Sequence, residues 1–182
     1  MKIVIIAGSP RIASVSYRVA KHLNNHLTTQ FPTHEYTLVD VRNYALSFVQ
    51  TVFNSIENTP KEWQPLAEIM FHADAIILVS PEYNGGYSPA MKNLLDHFPK
   101  FSRKVFGIAT SSPGAMGGMR AAQQMQQLIC GLSGIPSPTM LIVPAVDKKF
   151  NEQGELIDET FAKSVGTFAN EFMWLAEAVA KK

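Results

Sequence analysis

The chain has 182 residues, 46% of them hydrophobic, and a formal net charge of +1 from 16 basic and 15 acidic residues. This length gives room for one domain with a sizeable core and little room for a second, so we expect a single domain over residues 1–182. The charges are scattered, and no run of like charges is longer than the terminal Lys181-Lys182. This pattern argues against a dedicated nucleic-acid or membrane surface.

Apolar runs divide the chain at regular intervals. The first, at residues 3–7, is too short for a signal-peptide core or a membrane span, so it predicts the first strand of a cytoplasmic protein. Similar runs rich in Ile and Val follow at residues 36–41, 75–80, 104–109 and 139–146. Segments with helical spacing separate them, and the runs are apolar almost throughout, as strands buried on both faces are. The fold class predicted is therefore α/β, a doubly wound five-stranded parallel sheet with helices on both faces.

Local signals predict the helices. Thr59-Pro60-Lys61-Glu62 combines a capping box with proline at the first helical position, which predicts a helix from there to about Phe71. Another helix is expected at residues 119–132, in which the single cysteine, Cys130, is interpreted as a small buried hydrophobe. Spacings of three and four predict a long closing helix with one apolar face: Ile157, Phe161, Val165, Phe168, Phe172, Leu175 and Val179.

Two segments interrupt the alternation of strands and helices. Residues 43–58 are long for a connection, which indicates a packed segment, either on this chain or against another subunit, because they include these large apolar side chains: Tyr44, Leu46, Phe48, Val49, Val52 and Phe53. Residues 148–156 are polar around Gln153-Gly154 and predict a turn before the last helix.

Three strand ends carry loops suited to a ligand, and in a doubly wound sheet ligands bind outside the carboxyl ends of the strands. The first loop, from Gly8 to Ser16, offers three hydroxyls, Arg11 and the free amides of a helix start, a combination that suits a phosphate. The second, Pro81 to Pro89, places a carboxylate, an amide and two phenols between prolines and glycines. The third, Thr110 to Arg120, is hydroxylated and rich in glycine.

Each loop also has a purely structural interpretation. Ser14 could cap a helix, and Arg11 could be a solvated surface residue. Asn84-Gly85 is a common turn sequence, and Gly114 and Gly117-Gly118 could only shape the entry into a helix. The occurrence of all three loops at strand ends favours a cleft. Neither G-x-G-x-x-G nor the lysine of G-x-x-x-x-G-K-[ST] is present, so a mononucleotide is the expected ligand.

Other candidate sites are weaker. His22 and His26 are four residues apart on the first helix, but no third ligand for zinc is evident, and no metal is expected. His97 next to Asp96 is similar to part of a hydrolase triad, yet the chain has no G-x-S-x-G motif. Methionines 116, 119 and 125 near the third loop are interpreted as gap-filling side chains.

The loops resemble those of the NAD(P)H-dependent FMN reductases of the flavodoxin-like fold, which include quinone, chromate and azo-dye reductases. Three motifs carry the resemblance: Gly8-Ser9-x-Arg11-x-x-Ser14, Pro81-Glu82-Tyr83-Asn84-Gly85 with the following Ser88 to Asp96, and the Gly114 to Ala121 segment. The resemblance implies that the FMN phosphate is held by Ser9, Arg11, Ser14 and Ser16. It implies that the isoalloxazine is bordered by Pro81, Glu82, Tyr83, Asn84, Gly85, Ser111, Ser112 and Gly114. Relatives often have asparagine in place of Ser16, and Pro10 removes one amide from the first loop.

The resemblance also implies a mechanism and partners. Hydride passes from NADPH or NADH to the flavin, and a small-molecule acceptor such as a quinone or a flavin is then reduced, which predicts ping-pong kinetics. No catalytic acid, base or nucleophile is expected, so Glu82 is interpreted as a positioning contact and Tyr83 as a wall of the pocket. A homodimer or homotetramer is expected. Two alternatives share the cofactor: a non-enzymatic flavodoxin-type electron carrier and a flavin-binding sensor module.

Overall fold

The computed structural model describes residues 1–180 and contains a five-stranded parallel sheet. The strands are β1 (Lys2–Ala7), β2 (Glu35–Asp40), β3 (Ala75–Pro81), β4 (Val105–Ser111) and β5 (Ile135–Val143), in the order β2-β1-β3-β4-β5. The α-helices of the described range are α1 (Val15–Gln30), α2 (Gln64–His72), α3 (Pro89–Asp96), α4 (Met119–Gly131) and α5 (Ala162–Ala180). The predicted fold class, a doubly wound parallel sheet, is confirmed.

The sheet separates two apolar cores. On one face, side chains such as Ile5 of β1 pack with α1 and α5, where Leu23 and Phe168 are fully buried. On the other face, side chains such as Ile6 pack with α2, α3 and α4, which contribute residues such as Met70. Because successive residues of a strand point to opposite faces, a strand between two cores must be apolar at every position. This is why the runs in the sequence do not alternate.

The start of α2 differs from the prediction. The expected capping box at Thr59-Pro60-Lys61-Glu62 is wrong, since the Thr59 hydroxyl donates to the Ser55 carbonyl oxygen (2.8 Å) instead of capping a helix. A short 3₁₀ segment, Lys61–Trp63, comes first, and the α-helix begins at Gln64 with proline in its first turn. Local capping patterns compete with such loop contacts, and here the loop contact prevails.

Three further predictions are corrected. Strand β5 begins four residues earlier than expected and ends at Val143, because an edge strand with a register shift opposite Phe106 and Ile108 accommodates its two prolines. Helix α5 begins only at Ala162, so Ile157 lies before it and is exposed. Cys130 is also exposed and is not a core residue.

The segment at residues 43–58 is packed in part. Phe53 is buried, donates its amide to the His97 carbonyl oxygen (2.7 Å), and packs edge-on against Phe98. Phe48 is 84% exposed and Val52 is 39% exposed. The predicted turn at residues 148–156 is confirmed, with Gly154 at a φ of 79°. Among residues 1–180 we find no helix with both the length and the apolar composition needed to cross a membrane.

Candidate functional site

A cleft opens at the carboxyl ends of β1, β3 and β4, where the three predicted loops meet. Its walls are formed by Ser9, Arg11, Ala13, Ser14, Val15, Ser16, Pro81, Glu82, Tyr83, Ser111, Ser112 and Pro113. The structure therefore brings together nine of the twelve residues predicted from the sequence. The other three, Asn84, Gly85 and Gly114, lie in the same loops but do not form its walls. Ala13, Val15 and Pro113 were not predicted, because their apolar side chains carry no chemical signal.

The first loop leaves β1 through a tight passage. The Gly8 amide donates to the Val79 carbonyl oxygen (2.8 Å), and a Cβ on Gly8 would lie 2.9 Å from Cβ of Met91. Glycine is therefore required here by close approach. Two residues on from Ser9, the Arg11 amide donates to the Ser9 hydroxyl (3.3 Å), which turns the chain toward α1.

Ser14 caps the helix that follows. Its hydroxyl oxygen accepts a hydrogen bond from the Tyr17 amide (3.1 Å) and lies 3.1 Å from the hydroxyl oxygen of the buried Ser16. The structural interpretation of Ser14 is thus confirmed, yet Ser14 also lines the cleft. A hydroxyl that accepts one hydrogen bond still has a proton to donate, so capping and ligand binding are compatible.

The same wall carries groups that suit an anion. Val15 and Ser16 are the first two residues of α1, so amides that lack helical partners and the positive end of the helix dipole lie there. The exposed Arg11 forms no ion pair with any residue from 1 to 180. Its guanidinium carbon instead lies 4.7 Å from the ring centroid of Tyr83. This side of the cleft has the chemistry of a phosphate site.

The second loop contains a hairpin-like turn. Tyr83 and Gly86 exchange two backbone hydrogen bonds (2.8 and 3.0 Å), and between them Asn84 and Gly85 have φ angles of 52° and 84°. Positive φ at both central residues is typical of a type I′ turn. The base of the loop is closed by Ser80, whose hydroxyl oxygen accepts a hydrogen bond from the Ser88 amide (2.9 Å) while the hydroxyl donates to the Pro81 carbonyl oxygen (2.8 Å). The turn interpretation of Asn84-Gly85 is therefore confirmed.

Glu82 joins the second loop to α4. Its carboxylate forms an ion pair with Nη2 of Arg120 (2.6 Å) and accepts hydrogen bonds from Nε (2.8 Å) and from the backbone amide (3.2 Å) of the same residue. The Glu82 side chain is 10% exposed, whereas that of Arg120 is 67% exposed. Gly118, at the N-cap position of α4, has no side chain to offer, so Glu82 supplies the cap. Arg120 was not predicted as a site residue, since the sequence gives no sign of this contact.

Glycines shape the third loop, as the structural interpretation required. Gly117 and Gly118 have φ angles of 60° and 88°. A Cβ on Gly118 would lie 2.9 Å from Cβ of Thr110, so the backbone of the loop packs directly on β4. Ser112 accepts a hydrogen bond from the Gly114 amide (2.9 Å), and this bond tightens the start of the loop.

Two residues of the cleft have unpaired hydroxyls. The side-chain oxygens of Tyr83 and Ser111 are buried and have no hydrogen-bond partner among residues 1–180. Both residues line the cleft. Buried polar atoms are seldom left unpaired, so a bound polar molecule would complete their hydrogen bonding. An anion-binding end, an aromatic wall and two unpaired hydroxyls fit a mononucleotide such as FMN.

The weaker candidates lie outside this cleft. His22 donates through Nδ1 to the Gly154 carbonyl oxygen (3.1 Å) and stacks on His26, with ring centroids 5.9 Å apart. Burial lowers the pKa of both imidazoles. His97 is buried and donates to the Asn93 carbonyl oxygen (2.8 Å), while Asp96 pairs with Lys92. His97 and Asp96 therefore do not form a fragment of a triad.

Comparisons with known proteins agree with the geometry. A protein-family model described as NADPH-dependent FMN reductase matches residues 1–147. The FMN-dependent NADPH-azoreductase of Staphylococcus aureus (strain USA300) is 29% identical in an alignment that covers 95% of this chain and 94% of the relative. The solved structure of FerB, a flavoenzyme NAD(P)H:(acceptor) oxidoreductase from Paracoccus denitrificans, has a TM-score of 0.76 at 21% identity and covers 97% of each chain. A mutant of flavodoxin from Pseudomonas aeruginosa has a TM-score of 0.58 at 17% identity, covering 95% of this chain and 99% of the flavodoxin.

Proposed function

The chain belongs to the family of NADPH-dependent FMN reductases, and we propose that it passes electrons from NADPH or NADH through bound FMN to a quinone, a flavin or a similar small molecule. The observation that carries the proposal is the cleft at the ends of β1, β3 and β4, with its anion-binding wall and its two unpaired hydroxyls. The azoreductase activity named for the Staphylococcus aureus relative adds azo compounds to the candidate acceptors.

The proposed roles of the residues follow the geometry of the cleft. Next to the amides of α1, the FMN phosphate is held by Ser9, Arg11, Ser14 and Ser16. The isoalloxazine lies toward the second and third loops, bordered by Pro81, Glu82, Tyr83, Asn84, Gly85, Ser111, Ser112 and Gly114. The cleft-lining residues of this set support the assignment, since they form one continuous surface.

The protein contributes binding and orientation to the reaction. FMN, when bound, supplies the redox chemistry, accepting a hydride from the nicotinamide and passing electrons to the acceptor. Tyr83 forms a wall of the pocket, and Glu82 fixes the second loop against α4 through Arg120. No acid or base from the protein is assigned. We propose that nicotinamide and acceptor use the same open side of the cleft in turn, which gives ping-pong kinetics.

The decisive experiment is anaerobic reduction of the FMN-loaded protein by NADPH and by NADH in parallel, followed by a quinone, free FMN and an azo dye as acceptors. Bleaching of the flavin absorbance by a reduced nicotinamide, recovery on addition of acceptor, and parallel double-reciprocal plots are expected. A purified protein that takes up no FMN would overturn the proposal. Tight binding of FMN without oxidation of NADPH or NADH would indicate an electron carrier. Intersecting double-reciprocal plots would overturn the ping-pong mechanism.

We also propose that the chain is one FMN-binding domain that assembles as a cytoplasmic homodimer or homotetramer. Support comes from Phe48, which is 84% exposed in the partly packed segment at residues 43–58. Sedimentation velocity should show an oligomer for the native protein and a smaller species for Phe48→Ser. A native protein that sediments as a monomer would contradict the proposed assembly.

A further inference from the structure

Arg42 contacts both sides of the junction between the first loop and α1. It lies just past the end of β2, and its Nη1 donates to the Ile12 carbonyl oxygen (2.9 Å). Its guanidinium carbon lies 4.3 Å from the ring centroid of Tyr17, in the first turn of α1. One side chain therefore sets the position of the loop relative to the helix N-terminus.

Asp40 anchors this guanidinium to the sheet. The Asp40 carboxylate accepts bonds from Nε of Arg42 (2.9 Å to each oxygen) and from Nη2 (2.5 Å), and it also accepts the Arg42 backbone amide (3.0 Å). The Asp40 side chain is 10% exposed and that of Arg42 is 24% exposed. Forked pairs of this kind fix the plane of the guanidinium, so Nη1 is held in place for Ile12.

The first loop has little else to hold it. The segment from Pro10 to Ala13 is exposed, and Pro10 has no amide proton to donate. The Arg11 amide bonds only within the loop, to Ser9. Within residues 1–180, the bond from Arg42 to Ile12 is the one hydrogen bond that joins Pro10 to Ala13 with the chain outside the loop and α1. Arg42 thus supplies the hydrogen bond that joins this segment to the end of β2.

We infer that Arg42 is a positioning residue for the FMN phosphate. Through its bond to Ile12 it holds the first loop in place relative to α1, and it does not touch the ligand. The inference rests on the proposed function, because it concerns the same cleft. Ile12 is flanked in sequence by Arg11 and Ala13, both at the wall of the cleft. A loop that is already ordered loses less conformational entropy when it closes on a ligand. The bond from Arg42 to Ile12 therefore raises affinity for the phosphate.

The test compares two ligands that differ only in the phosphate. Arg42→Met keeps much of the apolar stem on Tyr17 and removes every hydrogen bond of the guanidinium. We expect its FMN affinity to fall about tenfold, the scale of one charge-assisted hydrogen bond, while riboflavin affinity stays unchanged. Arg42→Lys, which keeps the charge and loses the fork, should not restore FMN affinity. The ³¹P NMR signal of bound FMN should broaden or shift in both variants.

Arg18→Met is the matched control, because Arg18 is also an arginine in an ion pair near the start of α1, but it lies on α1 itself and pairs with Asp147. It should keep the native ratio of riboflavin to FMN dissociation constants. If Arg42→Met fails to fold, as judged by circular dichroism, Asp40→Asn tests the same contact with Arg42 in place. It should lower affinity for FMN and not for riboflavin.

The outcomes separate this inference from the proposed function. A native protein that binds FMN no better than riboflavin would overturn the phosphate site and the inference together. If the native protein prefers FMN and Arg42→Met has the same ratio of riboflavin to FMN dissociation constants, the inference alone is overturned. An equal loss of affinity for FMN and riboflavin would show general damage to the cleft. Recovery of FMN affinity in Arg42→Lys would show that the charge of residue 42 matters and its geometry does not. Either result would overturn the inference.

Discussion

Tyr83 brings together three parts of the cleft. Its backbone closes the turn of the second loop, its ring accepts the Arg11 guanidinium at 4.7 Å, and its buried hydroxyl is unpaired among the described residues. A cation over an aromatic ring at an exposed site gains only about 0.5 to 1 kcal/mol. That is enough to restrict Arg11 near the α1 N-terminus and too little to prevent it from turning to a phosphate.

Arg11→Ala should therefore lower FMN affinity by about one to two decades, since a hydrogen bond to a charged group contributes about 1.5 to 3 kcal/mol. Riboflavin affinity should change little. Tyr83→Phe, which keeps the ring and removes the hydroxyl, is the control for the aromatic contact and should leave the contribution of the phosphate intact. Fluorescence titration measures the FMN and riboflavin dissociation constants of the native protein and both variants, and an unchanged FMN affinity in Arg11→Ala would show that Arg11 does not contact the phosphate.

The sequence predicted which polar residues line the cleft better than it predicted which residues contact each other. Ser9, Arg11 and Ser111 are polar or charged groups at strand ends, and they do line the cleft. Arg120 could not be predicted, because its pairing with Glu82 depends on how two loops distant in sequence meet. The exposure of Cys130 could have been predicted: the buried positions of α4, such as Met125 and Ile129, recur at helical spacing, and Cys130 is one position off that face.

Among the structural elements, the entry to α4 depends on a left-handed backbone. Gly118→Ala should lower the free energy of unfolding by about 1 to 3 kcal/mol, because it combines a φ of 88° with a Cβ 2.9 Å from Thr110. Gly131→Ala, at the other end of the same helix, is the control. Nothing lies within 4 Å of its added Cβ, and we expect no loss of stability or a gain of up to about 1 kcal/mol. Urea unfolding compares the two, and equal effects would contradict the role assigned to Gly118.

The contact of α1 with the turn at residues 148–156 should depend on pH. Burial lowers the pKa of His22 below 6.5, although its bond to Gly154 acts in the opposite direction, and burial also lowers the pKa of His26. The unfolded chain then binds protons more readily than the native protein as pH falls below 6.5. The contribution of the two histidines to the free energy of unfolding should be fully present above pH 6.5 and should decrease below it.

The unfolding free energy of the native protein and of His22→Gln/His26→Gln, measured by urea titration from pH 8 to pH 5, checks this expectation. The decrease at acid pH should be smaller in the double variant. His72→Gln, which changes an exposed imidazole on α2, is the control and should follow the native curve. A double variant with the full native decrease would show that other groups cause the pH dependence.

Element boundaries were predicted less well than the elements themselves. Buried strands such as β1 and β3 are marked by continuous apolar runs, whereas β5 lies at the sheet edge and tolerates Pro136 and Pro138, which hide its start. The start of α2 was misplaced because the Thr59 hydroxyl bonds to a loop carbonyl. In both places a tertiary contact outweighs the local sequence signal.

The position of the cleft follows from the order of the strands in the sheet. β1 and β3 are neighbours, but the chain leaves β1 toward β2 at one edge and leaves β3 toward β4 at the other. Loops that diverge at such a point leave a crevice at the carboxyl ends of the strands. The alternation of strands and helices predicted the doubly wound parallel sheet, and the family resemblance added that it is flavodoxin-like. Periodicity by itself does not determine which strands are adjacent.

A ligand held by three loops should stabilise the molecule globally and protect it locally. FMN at one hundred times its dissociation constant should raise the free energy of unfolding by about 2.7 kcal/mol, because only the native state binds it. Amide hydrogen exchange should slow at residues 9–16, 81–88 and 111–118. It should not slow in the turn between Phe31 and Glu35, at the amino ends of the strands. Riboflavin, the matched ligand without phosphate, should slow exchange in the second and third loops and much less in the first. Protection by FMN that is confined to one loop, or that is equal at both ends of the sheet, would contradict a ligand shared by all three loops.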